Sequence, residues 1–352
     1  MDYAKLRKHL IALASLPKTD SPLVSAYFDL QQPLSAVRRD FLAWTELTRQ
    51  TFAGSLRQDF DDAVEEIESW LGNATGKSAA IFSRWGEHPL LLPMTFDVPM
   101  KSRLHVDEYP VIYPLVELKD RFNRFVVVLV TSGSARIVEV NLGSHSVELL
   151  AERPALRERI GREWTREHYA NHRKERDRKF VKEKIAVIEA LMAKRGHNAL
   201  IIAGDSRYVA RLTSALPRSL QSKLIGELKT GISDQKMQAV ISQAVESFLV
   251  KEREESFDAV NLLVQAVRAG GLATVGYEPT RRALLEGRAS ELIISAKLLH
   301  EEREELVRMA SQQGIQIETV RDCELLDRNG GAGALLRYEL QDSPDEVKIE
   351  AA

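Results

Sequence analysis

"VGYEPTRRALLEGRASELIIS" (Val275–Ser295), followed by "EELVRMASQQGIQIETV" (Glu304–Val320), decides how this chain is read. Pro279 to Leu285 carries a helical pattern, and "ELIIS" is a short apolar strand. A second helix, Glu301 to Ser311, leads to a second strand, "IQIETV". A charged helix followed by an apolar strand, twice over, predicts a sheet covered by helices. "AGALLRYEL" (Ala332–Leu340) reads as the closing strand. Gly330 and Gly331 ahead of it suit a tight turn at positive φ. A phosphate loop would need a following Lys and Ser/Thr and then a helix, and here a strand follows. A helix from Phe257 to Arg268 and the Gly270–Gly271 turn come before. Residues 255–340 therefore read as a three-layer α/β/α domain, with 341–352 a polar tail.

The rest of the chain of 352 residues supplies room for two further domains. Its 44% hydrophobic and 28% charged content is that of a globular protein. No apolar run approaches the roughly 18 residues of a membrane span. The N-terminus lacks a long apolar core, so a signal peptide is not expected. Cys323, the single cysteine, excludes an internal disulfide and a Cys-rich zinc site. A reducing cytoplasm is the expected compartment. The net charge of −2 means that any nucleic-acid contact must come from a local patch.

Residues 1–115 read as a mixed α/β domain. "LVSAYFDL" (Leu23–Leu30) alternates as a strand, and helices are expected at Ser35–Phe52 and Ser55–Leu71. "SAAIFSRWGEHPLLLPM" reads as a hairpin turning at Trp85 and Gly86, and Pro110 and Pro114 mark a boundary. Residues 116–254 begin with three strands in "RFVVVLVTSGSARIVEVNLGSHSVELL", an antiparallel meander. A helix follows with Val181, Ile185, Ile188 and Met192 on one stripe and Gly196 past its end. "NALIIAG" is a strand of the kind buried on both faces. Asp205 or Ser206 is placed to cap the helix "RYVARLTSAL". Further helix runs from Asp234 to about Lys251, and the charged run "KEREES" separates it from the last domain.

The stretch "GREWTREHYANHRKERDRKF" (Gly161–Phe180) precedes the striped helix. From Glu152 to Lys184 there are 12 Lys and Arg against 7 Asp and Glu, a local excess of 5. Such a strip suits a phosphate backbone, since each neutralised phosphate releases counter-ions. Arg162, Arg166, Arg173, Lys174, Arg176, Arg178 and Lys179 are the candidate RNA contacts. A solvated helix laced with pairs such as Glu175–Lys179 is the plainer alternative. Trp164 and Tyr169 could stack on bases or pack on protein. His168 and His172 stand four apart, a zinc spacing, but "HYANH" lacks the Glu of a metalloprotease helix and no third ligand is signposted. They are left as general acid/base candidates with Trp164 beside them. No metal or cofactor is expected.

The three quoted C-terminal segments resemble the last domain of the archaeal and eukaryotic peptide-chain release factors and of Pelota. The shared features run in order: a Gly before a helix, "AL" and Gly at its end, an apolar strand, an "EEL" helix, and the close Gly330 to Tyr338. The middle segment is similar in layout to that family's second domain, an RNase H-like unit with a meander and a long basic helix. The first segment fits more loosely. The resemblance implies a cytoplasmic, translation-associated factor that binds the ribosome through rRNA or tRNA, with a partner GTPase docking on the C-terminal domain and no membrane attachment.

In release factors the loop before the basic helix carries Gly-Gly-Gln, which positions water against the peptidyl ester. Here the loop near Gly161 has no Gly-Gly and no Gln. The stop-codon motif Asn-Ile-Lys-Ser is also missing from "RQTFAGSLRQ". The implied activity is thus rescue or hibernation, and at most peptidyl-tRNA hydrolysis with a divergent loop. The alternative is an interaction or scaffold protein that reuses the fold away from the ribosome. A nuclease on the middle layout would need clustered carboxylates, and the strands "RFVVVLV" and "ARIVEVNL" offer only Glu139.

Overall fold

The computed structural model describes residues 1–131, 134–152, 166–230 and 237–338. The chain forms two compact units. One comprises residues up to Asn123 together with those from Glu252 onward, and the other runs from Arg124 to Lys251.

The first unit opens with helix α1 (Tyr3–Ala14), capped by the Asp2 carboxylate, which accepts from the Lys5 amide at 2.8 Å. Strand β1 (Leu23–Asp29), helices α2 (Leu34–Arg49) and α3 (Gly54–Leu71), strands β2 (Ser78–Arg84), β3 (Leu90–Phe96) and β4 (Arg103–Asp107), and helix α4 (Tyr113–Arg121) follow. The strands form an antiparallel sheet in the order β3-β2-β1-β4. Val24, Ala26 and Phe28 alternate toward Phe41, Phe60 and Ile67 of α2 and α3, as the period-2 pattern predicts. The expected hairpin is β2–β3. Pro114 does not break the chain. It sits at the second position of α4, where its missing N–H leaves no gap in the helix.

The second unit contains β5 (Phe125–Val130), β6 (Ser134–Asn141), β7 (Ser144–Glu152), the 30-residue α5 (Arg166–Arg195), β8 (Leu200–Gly204), α6 (Ser206–Ser214), α7 (Arg218–Gln221) and β9 (Leu224–Lys229). Helix α8 (Met237–Arg268) follows. The sheet order is β7-β6-β5-β8-β9, with β7, β6 and β5 antiparallel and β5, β8 and β9 parallel. One face holds Val126, Val128 and Ile202 against Ile188 and Met192 of α5, and the other holds Val127 and Ile201 against Val240, Ala244 and Phe248 of α8. The interior strand β8 is buried throughout, the reason its run of apolar residues shows no alternation. Asp205 accepts from the Arg207 amide at 3.0 Å and caps α6, as its position implied.

Helix α8 continues unbroken through "KEREES", and the division between the two units falls within that run, between Lys251 and Glu252. Lys, Glu and Arg are good helix formers, and a charged run alone does not end a helix. The first unit then resumes with β10 (Ala273–Val275), α9 (Tyr277–Leu285), β11 (Ala289–Ser295), α10 (His300–Gln312), β12 (Gln316–Val320), α11 (Glu324–Arg328) and β13 (Ala332–Leu336). The sheet order is β10-β13-β11-β12, and only β11 and β12 run parallel. Val260, Leu263 and Val264 of α8 cover one face with Ile293, Val320 and the buried Cys323, while α9 and α10 pack on the other. Gly330 and Gly331 take φ of +86° and +68°. A Cβ on Gly330 would lie 2.9 Å from the Gly276 Cα, so the turn requires glycine.

Candidate nucleic-acid interface

Helix α5 is made of two unlike halves. Among the described residues its packed stripe runs from Val181 to Met192, about 17 Å of a helix about 45 Å long. The sequence of residues 166–180 is dominated by charged and polar residues. Over the whole helix ten Lys and Arg face five Asp and Glu. Tertiary burial fixes the part of the helix that carries this stripe.

Beside the stripe, α5 and the end of α6 enclose a groove of about 650 Å³. Arg178, Val181, Lys182, Ile185 and Glu189 line it from α5, at spacings that place them on one helical face. Arg211, Ala215 and Pro217 line the other wall. The floor is apolar. Arg178, Lys182 and Arg211 form a cationic rim, and Glu189, which accepts from Ser219 Oγ at 3.0 Å, lies at the far end. The positive end points back toward the basic run of α5.

Of the candidate RNA contacts, Arg178 lines the groove, and Lys179 is exposed beside it. Glu175 and Lys179 make no ion pair among the described residues, so the lacing alternative is not realised at that pair. Arg166, His168, His172, Arg173, Lys174 and Arg176 lie on α5, and their side chains fall outside the described residues. Arg162 and Trp164 also fall outside the described residues, as does most of the loop that holds them. Lys182 and Arg211 were not singled out in the sequence. Lys182 stands one turn beyond Arg178 and could have been found by that spacing; Arg211 reaches the groove only through the fold. Glu139 is buried and its Oε1 lies 3.2 Å from Nε2 of the fully buried His197. Among the described residues no cluster of three His, Cys, Asp or Glu is placed to hold a metal, and no helix is long and apolar enough to cross a membrane.

A mixed α/β chain of several sheets, with a long basic helix flanking one of them, is the class that the geometry defines. Residues 110–248 match the family described as bacterial archaeo-eukaryotic release factor family 10. An uncharacterized protein of Mycobacterium tuberculosis is 24% identical over 123 residues, 35% of this chain and 33% of its own length. The aligned part thus spans about a third of that relative. Among solved structures, an archaeal translation termination factor shares 18% identity, with 96% of this chain and 99% of that one covered and a TM-score of 0.31. The ribosome-bound archaeal Pelota shares 15%, covering 96% and 95%, with a TM-score of 0.47. Dom34 of S. cerevisiae, a translation termination-like factor, shares 13%, covering 75% and 80%, with a TM-score of 0.46.

Proposed function

We propose that this protein is a translation-associated factor that grips ribosomal RNA or tRNA with α5 and the segment leading into it, and that it acts in rescue or hibernation. The observation that carries the reading is the surplus of cations on α5, continued by the rim of Arg178, Lys182 and Arg211, inside the segment that matches a release factor family. Phosphate contacts position a protein on RNA without reading its bases, which is the service that such a rim can give. Gly-Gly occurs at 270–271 and 330–331 and precedes Leu and Ala, so Gly-Gly-Gln stands nowhere in the chain. Binding without hydrolysis by that motif is the activity we assign. A partner GTPase on the C-terminal sheet belongs to the same proposal.

Sedimentation of the full chain with bacterial ribosomes at moderate salt tests it. Co-pelleting is expected, and the double variant Arg178→Glu/Lys182→Glu should weaken it and lower the slope of log affinity against log salt by about 2. Failure to co-pellet with any ribosome state would sink the proposal. Unchanged binding in the double variant would move the function away from this rim and toward the scaffold reading. Release of labelled peptide from stalled ribosomes separates binding from hydrolysis; no release is expected.

A further inference from the structure

The first unit holds a second concavity, of about 260 Å³, that plays no part in the reading above and is independent of it. Lys101 and Arg103 enter from the start of β4, Glu117 and Arg121 from the last turns of α4, and Ala296 and Arg321 from the residues just beyond β11 and β12. The charges do not cancel. Arg321 donates through Nη2 at 2.7 Å and Nε at 2.8 Å to Glu117 Oε1, so those two neutralise each other. Lys101, Arg103 and Arg121 make no ion pair among the described residues. Three cations are left around one hollow. Arg121 Cζ lies 5.2 Å from the Phe122 ring centroid, which holds the guanidinium at the wall. That guanidinium is pushed below its ordinary range by burial and by Arg321, with Glu117 opposing them, and the side chain still reaches solvent. A concave wall of one charge sign, backed by protein, focuses the field on what enters it.

Topology supplies an independent sign. Ser295 and Val320 end the parallel pair β11–β12 in register, and the Ala296 amide donates to the Val320 carbonyl at 2.9 Å. The hollow thus lies at the carboxyl edge of two parallel strands, the place where α/β sheets take ligands. Its volume falls below the roughly 300–1,000 Å³ of sites that enclose a whole organic ligand. It matches a compact anion, and the three uncompensated cations match one carrying several charges.

We infer that Lys101, Arg103 and Arg121 form a binding site for the phosphate or pyrophosphate group of a small ligand. Arg121 and Arg103 supply planar donors for two anionic oxygens, and Lys101 supplies a mobile point charge at the mouth.

Isothermal titration of the full chain with inorganic pyrophosphate, at ionic strength held constant with chloride, tests the site. One saturable site is expected, together with a rise in the unfolding midpoint that grows with pyrophosphate concentration. Lys101→Ala/Arg121→Ala should weaken binding at least tenfold. Both side chains are exposed, and Arg103→Ala serves as a second variant should the double variant melt early without ligand. Lys182→Ala, in the other unit, should bind pyrophosphate as the unaltered protein does. Absence of saturable binding, or equal binding by the pocket variants, overturns the inference. Loss of affinity for a short RNA in the pocket variants, with no pyrophosphate binding by the unaltered protein, also overturns it, because the cations would then be a phosphodiester contact.

Discussion

Replacing Glu318 with Gln should make the protein more resistant to unfolding at alkaline pH and leave it nearly unchanged in acid. Glu318 of β12 sits in a cluster of carboxyls drawn from four elements, with Asp120 at the end of α4, Glu252 on α8 and Glu291 on β11. Asp120 Oδ2 accepts from the Thr319 amide and from Thr319 Oγ1, both at 2.6 Å. Ser256 Oγ donates to Glu318 Oε1 at 2.5 Å. Burial, then the charge of Asp120, pushes Glu318 up to about 8. The same two causes lift Glu252 to about 8, and burial lifts Asp120 to about 6. A raised folded-state value contributes stability that is fully present below about 4.5 and is lost as pH rises through about 8.

For a single isolated group that displacement would be worth about 5 kcal/mol. The cluster shares its protons, so about 2 kcal/mol is the portion assigned to Glu318. In a unit of this size that corresponds to about 4–8 °C in unfolding midpoint. Gln keeps an acceptor for Ser256 and carries no charge to desolvate. Circular dichroism melts from pH 5 to pH 9 should show E318Q within about 1 °C of the unaltered protein at pH 5 and about 4–8 °C above it at pH 9. A difference that does not change with pH, or one that shrinks as pH rises, would refute the reasoning.

Two further outcomes follow from packing. Glu304 of α10 accepts from the Ile112 amide at 2.9 Å and the Tyr113 amide at 3.2 Å, where α4 has no partner of its own for them. Glu304→Ala should lower the unfolding free energy by about 1–3 kcal/mol in urea melts at pH 6, and no loss would mean that water replaces the carboxyl there. Gly330→Ala forces a side chain into positive φ and against Gly276, and should cost about 2 kcal/mol or more, read in the same melts. A loss below about 0.5 kcal/mol would show that the turn relaxes.

Much of the architecture was legible in the sequence, for identifiable reasons. β1, β8 and the stripe of α5 were found because burial of one or both faces imposes a pattern. β10, with three residues, and β4, with half-exposed residues throughout, are too short or too evenly wetted to show a period. β9 mixes Leu224 and Ile225 with Glu227 and Lys229 at an edge of its sheet and was missed for the same reason. The charged run in α8 holds the division between the two units without ending the helix, because Lys, Glu and Arg are good helix formers. The basic character of α5 was visible, since it lies in one continuous segment. The anion pocket was not. Lys101 and Arg103 at β4, Arg121 at the end of α4 and the wall beyond β11 and β12 are scattered along the chain, and only the fold of the first unit brings them together.

The first unit is assembled from two stretches of chain with the second unit synthesised between them. This sets a schedule for the growing polypeptide. The Ile112 amide waits for Glu304, 192 residues downstream, and the Ala14 carbonyl waits for Gln312, 298 residues downstream. At about 5–20 residues per second the first wait lasts about 10–40 s. During that time the buried apolar side of α1 and α4, including Leu6, Leu10 and Leu115, is uncovered, while residues 124–251 already have every strand of their own sheet. A nascent chain halted before α10 would therefore present a sticky amino-terminal third beside a middle unit able to close, and it is in that interval that a chaperone has most to do.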